Sequence, residues 1–192
     1  MPPKAIVTRE DIIQAAFSIV DTHGMQSLTA RSVAREMGVS TKPVYFHFSS
    51  MEELQKEVMN KAISLLLQYT AAPRTDRVFL NMGAGLALFA RDHKQLFRLL
   101  FLQSDEYKDL VDDFLLTLRE EMKADSRFTT MTQEERDALL NRMWIFTHGL
   151  ASVVCVGLID RDSDEFLINM IDQVGTVVIA AAMKESSGKR KN

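Results

Sequence analysis

Apolar residues recur along nearly the whole chain at the three- and four-residue spacing of an amphipathic α-helix. No stretch shows the regular alternation of apolar and polar residues that predicts a β-strand. The pattern therefore predicts an all-α protein. In the second part of the chain, predicted helices span about 77–91, 93–102, 106–123, 133–159 and 164–184.

Polar residues just before the apolar runs predict where helices begin, because their side chains can accept hydrogen bonds from free backbone N–H groups. The expected N-caps are Thr8, Thr29, Ser40, Ser50, Thr132 and Ser163. Glu53 and Glu135 each follow a cap by three residues, which is the spacing of a capping box. Gly24 and Gly38 are expected to end the first two helices, and Pro43 falls in the first turn of the third.

The segment 29–48 carries the most information about function, and it reads TARSVAREMGVSTKPVYFHF. It predicts a helix, a tight turn at Gly38 and a second short helix. The apolar positions expected to point inward are Val33, Ala34, Met37, Val39 and Val44. The polar positions expected to point outward are Ser40, Thr41, Lys42, Tyr45 and His47. These outward side chains are hydrogen-bond donors, and one of them is a cation, so they suit a groove lined by phosphates and base edges. We therefore interpret the segment as a DNA-binding helix-turn-helix.

The chain divides into a small N-terminal module and a larger helical body. Residues 1–50 form the predicted helix-turn-helix domain, residues 51–185 the helical body, and residues 186–192 a tail expected to be disordered. A fourth helix running from Ser50 toward Tyr69 joins the two parts, and the segment 71–76 with Pro73 interrupts the helical pattern.

The charge is modest for a DNA-binding protein, with a net value of −3. Residues 1–50 hold five Lys or Arg against four Asp or Glu, which is +1, and residues 51–192 hold 18 against 22, which is −4. Groove binding would therefore depend on a few well-placed donors and not on a broad positive face.

Cys155 is the single cysteine, which excludes an intrachain disulfide and fits a reducing cytoplasm. The four histidines are scattered, so no Cys/His zinc arrangement is available and we expect neither a metal nor a cofactor. The chain has no apolar N-terminal segment of signal-peptide length and no run approaching ~18 uninterrupted apolar residues. The expectation is a soluble, cytoplasmic protein with no membrane association.

The order of these features resembles the TetR family of bacterial transcriptional repressors. A first helix precedes the helix-turn-helix, the run G-V-S-x-x-x-V-Y-F-H-F follows, and a capping box then opens a helix leading into a variable helical body. The specific resemblance covers about residues 8–58, whereas the remainder matches only in length, helicity and helix order. It implies a dimeric, ligand-responsive repressor that binds an inverted-repeat operator in double-stranded DNA.

The resemblance also implies which residues contact DNA. These are Thr29, Ser40, Thr41, Lys42, Pro43, Tyr45 and His47. One departure is Met51, which stands where family members commonly carry a phosphate-binding lysine. Two of these contacts have a plainer alternative: Tyr45 could be a half-buried core aromatic, and Lys42 an ordinary solvated lysine. Phe48 is expected in the core, and Phe46 could either touch a thymine methyl group or pack inside.

Methionine and phenylalanine number 11 each, and most lie in the helical body, residues 51–185. They could simply pack the core, or they could line a deformable cavity, and the resemblance implies that such a cavity receives a small apolar or amphipathic effector. The candidate lining residues are Phe79, Met82, Phe89, Phe97, Phe101, Met122, Trp144 and His148. His148 would supply the polar group, with a structural hydrogen bond as its alternative role.

The last two predicted helices carry small residues among apolar ones, which permits close helix packing. The small residues are Gly149, Ala151, Gly157, Gly175 and Ala180. In the family these helices pair with those of a second copy, so the resemblance implies a homodimer.

Two rival interpretations belong to other classes. An enzyme is disfavoured, because no nucleophile–base pair, phosphate-binding loop or metal cluster is present in the sequence. A DNA-bound adaptor or activator, whose body binds a protein partner, would be favoured by a crevice filled with its own side chains.

Overall fold

The computed structural model describes residues 7–103, 106–159 and 161–189, and across these residues the fold is all-α, without strands. The helices of this described part are α1 Arg9–His23, α2 Ala30–Glu36, α3 Lys42–His47, α4 Met51–Ala71, α5 Val78–Asp92, α6 Lys94–Phe101, α7 Lys108–Met122, α8 Gln133–Cys155 and α9 Asp164–Lys189. Short 3₁₀ turns occupy Met25–Ser27 and Ser126–Phe128. The all-α prediction is confirmed.

Helix α5 lies at the centre of the body. Every residue from Phe79 to Ala90 is buried except Gly83, because the helix packs against α4, α8 and α9. A helix that is apolar on nearly all sides is expected to be covered on all of them. At Gly85 the backbone of α5 approaches that of α4 so closely that a Cβ would lie 2.3 Å from the carbonyl oxygen of Tyr69.

The N-terminal module, which we call the head, comprises α1 to α3. Its largest contacts with the body are made by α1, which packs against α4 and α6. Ile12, Ala16 and Val20 are fully buried along one face of α1 and form the centre of the head's core. Three ion pairs also join α1 to α4: Arg9 with Glu57 at 2.8 Å, Arg9 with Glu53 at 3.3 Å, and Lys61 with Glu10 at 2.8 Å.

Most of the predicted caps are confirmed. Thr8, Thr29 and Thr132 each accept a hydrogen bond from the third residue of their helix and complete a capping box. The Oγ of Ser163 likewise accepts the N–H of Phe166 at 3.3 Å. These bonds satisfy donors that would otherwise stay free at the helix start.

Two cap predictions need correction. Ser40 does not cap α3, which begins at Lys42 after Thr41, and Thr41 has helical dihedral angles and gives no side-chain cap bond. Ser50 caps α4 as predicted, but the carboxylate of Glu53 accepts the N–H of Ser49 at 2.8 Å and does not close a box with Ser50.

The last helices differ in length from the prediction. Helix α8 ends at Cys155, because Gly157 adopts a φ of +75° and the N–H of Leu158 returns to the carbonyl of Val153 at 3.1 Å. This left-handed glycine is a common helix stop. Helix α9 continues to Lys189, so residues 186–189, which were assigned to a disordered tail, are helical. Residues 190–192 of that predicted tail lie outside the described residues.

One helix in the described part of the chain is long and apolar enough to cross a membrane by length and composition alone. It is the segment Asp164–Ser187, with a mean hydropathy of 1.7, and only 22% of its most apolar window is buried. Val177 of α9 is 69% exposed and Ile145 of α8 is 74% exposed. An apolar surface of this kind, formed by two neighbouring helices, is typical of an interaction face.

Candidate nucleic-acid interface

Helices α2 and α3 form a helix-turn-helix whose turn depends on Gly38. That residue has a φ of +66°, a conformation that only glycine adopts without steric cost. The turn is closed by the N–H of Val39, which donates to the carbonyl of Ala34 at 2.9 Å. Val33 and Ala34 of α2 and Val44 of α3 are buried in the core. The buried apolar side chains thus fix the orientation of α3 within the head.

The outer face of α3 presents aromatic and cationic groups to solvent. Tyr45 is 67% exposed and Phe46 is 83% exposed, and Lys42 next to them is also exposed. Thr41 and Pro43 are half-buried at the start of the helix. Phe46 was open in the sequence interpretation, and the structure places it outside the core.

Phe48, directly after α3, belongs to the core as predicted. The guanidinium of Arg9 lies 4.7 Å from the centre of its ring, and Arg9 is bonded in turn to Glu53 and Glu57 of α4. Stacking of this kind adds to apolar burial. Phe48 therefore anchors the end of α3 where the head joins α4.

His47 is held by the protein itself. Its Nε2 lies 3.0 Å from the carbonyl oxygen of Val7, so the ring ties the end of α3 to the segment before α1. The ring also meets Phe46 edge-on at 5.0 Å. Since one ring nitrogen is already engaged, only the other is free to contact a phosphate in the same arrangement.

Two further cations were not singled out in the sequence. Arg31 and Arg35 lie on the exposed side of α2, opposite Val33 and Ala34. Within the described part of the chain, neither guanidinium forms an ion pair, and nor does the ammonium group of Lys42. Their four-residue spacing on one helix face could have identified them, because it places both on the side away from the buried positions.

The residues predicted to bind an effector fall into separate groups. Phe97, Phe101, Trp144 and His148 are neighbours in a ring cluster, which we call the aromatic cluster, with centroid distances between 5.1 and 5.7 Å. Phe114 completes it on the α7 side. Burial lowers the pKa of His148, so the ring favours its neutral form there.

Phe79, Met82 and Trp144 line a small apolar cavity of about 30 Å³ between α5, α8 and α9. Its other lining residues are Gly83, Leu86, Leu118, Leu140, Met143, Thr147 and Ile171. Thr147 turns its hydroxyl to the carbonyl of Met143 at 2.8 Å, which leaves an apolar lining. The volume is about that of one water molecule.

Two of the predicted effector residues lie elsewhere. Phe89 packs against Tyr69 and His93, where the head meets the body, and the two ring distances are 5.7 and 5.4 Å. Met122 is buried at the end of α7 and is not part of the lining of that cavity. The structure therefore brings together six of the eight candidates, in two groups that share Trp144.

The fold and the exposed face of α3 define a helix-turn-helix protein of the DNA-binding class. Residues 12–58 match the sequence model described as bacterial regulatory proteins, tetR family. Over these residues, which cover most of the head and the start of α4, the chain matches the TetR family of bacterial transcriptional regulators.

Two solved structures and one curated relative illustrate the relationship. The HTH-type transcriptional repressor DrrR1 of Streptomyces coeruleorubidus is 29% identical over 99 residues, which is 50% of this chain and 34% of that protein. A transcriptional regulator of Rhodococcus sp. Rha1 is similar over 94% of this chain and 98% of its own, with a TM-score of 0.69 and 18% identity. The multidrug binding protein EbrR, solved with imidazole, aligns over 88% of this chain and 94% of its own, with a TM-score of 0.57 and 15% identity.

The chain spans less than half the length of the curated relatives that it matches. Because the two solved structures are only 18% and 15% identical to this chain, they establish a shared fold and nothing further.

Proposed function

We propose that this chain is a dimeric, ligand-responsive transcriptional repressor, with no catalytic activity, that binds an inverted-repeat operator. The observation that carries the proposal is the solvent-facing surface of α3, where Tyr45 and Phe46 are largely exposed beside Lys42. Large exposed aromatic side chains next to a cation are typical of a surface that a partner covers. The proposed contacts with DNA are Thr29, Ser40, Thr41, Lys42, Pro43, Tyr45 and His47.

A second copy of the chain would cover the apolar surface of α8 and α9. Ile145 and Val177 supply exposed apolar area on these two helices. Covering that surface with protein accounts for the hydropathy of α9 without a membrane, which supports a cytoplasmic protein. In such a dimer the two α3 helices would enter successive major grooves about 34–36 Å apart.

The proposed effector is a small apolar or amphipathic molecule that occupies the cavity between α5 and α8 and the adjoining aromatic cluster. Met143 and Phe101 border these spaces, and flexible or half-buried side chains of this kind can move aside for a ligand. An effector relieves repression only if it binds the conformation that cannot engage the operator more tightly than the conformation that can.

A second candidate function is that of a DNA-bound adaptor whose body recognises a protein. The volume of the cavity, about 30 Å³, favours it, because drug-sized ligands occupy roughly 300–1,000 Å³. Native mass spectrometry of the protein purified from cells separates the two. A retained molecule of a few hundred daltons supports the effector, and none retained, together with no thermal shift from apolar compounds, supports the adaptor.

DNA binding is tested by selecting duplexes from a pool of randomised 30-base-pair DNA with the full chain. The expected result is an enriched inverted repeat. Lys42→Ala should weaken binding to it by about 1–3 kcal/mol if Lys42 reads a base, or lower the salt slope by about one if it contacts a phosphate. Lys123→Ala, an exposed lysine of the body, is the matched control and should leave affinity unchanged. Failure to enrich any sequence would refute the proposal.

A further inference from the structure

The head and the body meet at a polar junction between α1 and α6. Asp21 lies near the end of α1, and His93 stands between α5 and α6 as the residue that ends one and precedes the other. The Nδ1 of His93 is 2.9 Å from both carboxylate oxygens of Asp21. The side chains are only 19% and 23% exposed, so the contact is shielded from solvent more than a surface ion pair is.

The ring of His93 is also fixed from the opposite side. Its Nε2 lies 3.2 Å from the hydroxyl of Tyr69 on α4, and the rings of Tyr69 and Phe89 surround it at 5.5 and 5.4 Å. Burial, together with the hydrogen bond to Asp92, raises the pKa of Tyr69 to about 12, so the phenol keeps its proton. A histidine held at both nitrogens and packed between two rings has one orientation available to it.

The junction continues into the rest of the body. Tyr69 donates to Asp92 at 3.0 Å, and Arg91 binds Asp92 at 2.7 Å and Asp164 at 2.7 Å. Burial opposes ionisation of Asp92, but the bonds from Arg91 and Tyr69 outweigh it and lower its pKa. A continuous series of polar contacts therefore runs from α1 in the head to the first residue of α9.

The other ion pairs of α1 reach α4 alone. Lys61 and Glu10, for example, are 2.8 Å apart, but Glu10 is 69% exposed, and among the described residues the pair makes no polar contact with α5, α6 or α9. Such an exposed pair contributes little to stability and tolerates changes in the angle between helices. It provides a matched control, since it also joins the head to α4.

We propose that Asp21 and His93 are positioning residues for operator binding, because their contact fixes the angle of the head on the body. The inference rests on the proposed function, since it assigns these residues to the same DNA-binding site. Two heads can engage two half-sites together only when their spacing matches the DNA. Loss of the contact lets α1 pivot on α4, which broadens the spacing and weakens binding without altering α3.

The first test measures the head angle without DNA. Spin labels are attached at Arg35→Cys on α2 and Asp113→Cys on α7, which are both exposed positions. The native Cys155 is buried and therefore shielded from the label. Pulsed electron resonance then reports the distance between head and body. Asp21→Ala and His93→Phe should each broaden the distance distribution, and the double variant should broaden it no further. Glu10→Ala should leave it unchanged. The exchanged pair, Asp21→His with His93→Asp, should restore the narrow distribution, which general destabilisation would not allow.

The second test uses unlabelled protein and the duplex that the wild-type chain selects from randomised DNA. Asp21→Ala and His93→Phe should each bind it about five- to tenfold more weakly, at the lower end of typical coupling between sites, and the double variant should be no weaker. Wild-type affinity in both single variants, or additive losses, would overturn the inference. If the wild-type chain selects no duplex, the proposed function fails, and the distance measurement still decides the role of the junction.

Discussion

Gly85 marks the place where the helix leading out of the head meets the centre of the body. A Cβ at this position would lie 2.3 Å from the carbonyl oxygen of Tyr69 and 2.5 Å from the Cα of Thr70. Both neighbours are backbone atoms of α4, which cannot rotate away as the end of a long side chain can. In Gly85→Ala, α4 and α5 must therefore separate by roughly 1 Å to reach an ordinary contact.

The cost follows from that geometry. Overpacking a core costs about 1–3 kcal/mol, and a clash between two helix backbones lies at the upper end of this range. Alanine regains about 1 kcal/mol relative to glycine in a helix, so the net loss is about 2 kcal/mol. For a chain of this length, such a loss corresponds to a melting temperature about 4–8 °C lower.

The assay is thermal and urea unfolding followed by circular dichroism at 222 nm. Gly175→Ala in α9 is the matched control, since the new Cβ would meet only the flexible end of Met143 at 3.5 Å. That variant should match the wild type or exceed it by up to about 1 kcal/mol. A Gly85→Ala protein that unfolds at or above the wild-type temperature would refute the close approach of α4 and α5.

Three further predictions concern stability. Burial lowers the pKa of His148, so the unfolded chain binds the extra proton first and stability falls as pH drops below about 6.5. His148→Phe should reduce the loss measured by urea unfolding between pH 7 and pH 5, and an unchanged loss would contradict the assignment. Burial opposes the ionisation of Asp125, but its bonds from Arg127 prevail and lower its pKa, so its stabilisation is present above about pH 4 and is lost as pH falls through the folded value. Asp125→Asn should cost about 1–2 kcal/mol at pH 7 and show a smaller decline between pH 5 and pH 3; an acid response like that of the wild type would speak against the pair. Thr132→Ala removes the capping box of α8 and should cost about 1 kcal/mol in urea unfolding, whereas Thr132→Ser should cost much less; equal losses would exclude the cap.

Local rules predicted the helices well where the determining contacts are local. Thr8, Thr29 and Thr132 cap their helices because each side-chain oxygen accepts a hydrogen bond from the N–H three residues later in the chain. That spacing can be read directly from the sequence. Gly38 was identifiable for the same reason, since the turn requires a positive φ at that residue. The outward face of α3 followed from the buried position of Val44.

Ser40 was misassigned because the turn geometry competes with capping. The N–H of Val39 closes on Ala34, and Thr41 then enters helical dihedral angles, which moves the start of α3 to Lys42. A polar residue before an apolar run does not indicate at which of two neighbouring residues the helix begins. The cap rule applies only when the flanking backbone is extended.

The polar junction and the interior cavity could not be predicted from spacing. Asp21 and His93 are 72 residues apart, and no local pattern indicates that they meet. Phe89 and Met122 share the helical spacing of the other effector candidates, yet they are buried in different parts of the body. Helical spacing identifies a buried face, but the packing partner of that face depends on the tertiary arrangement.

The central claim is that two α3 helices read two half-sites through their exposed faces. Hydroxyl-radical footprinting of the full chain on the duplex it selects from randomised DNA tests this most directly. The account predicts two protected patches on one side of the duplex, separated by about one helical turn or a multiple of it, and both lost in the Lys42→Ala, Tyr45→Ala double variant. Uniform protection, or a pattern that persists in that variant, would contradict it.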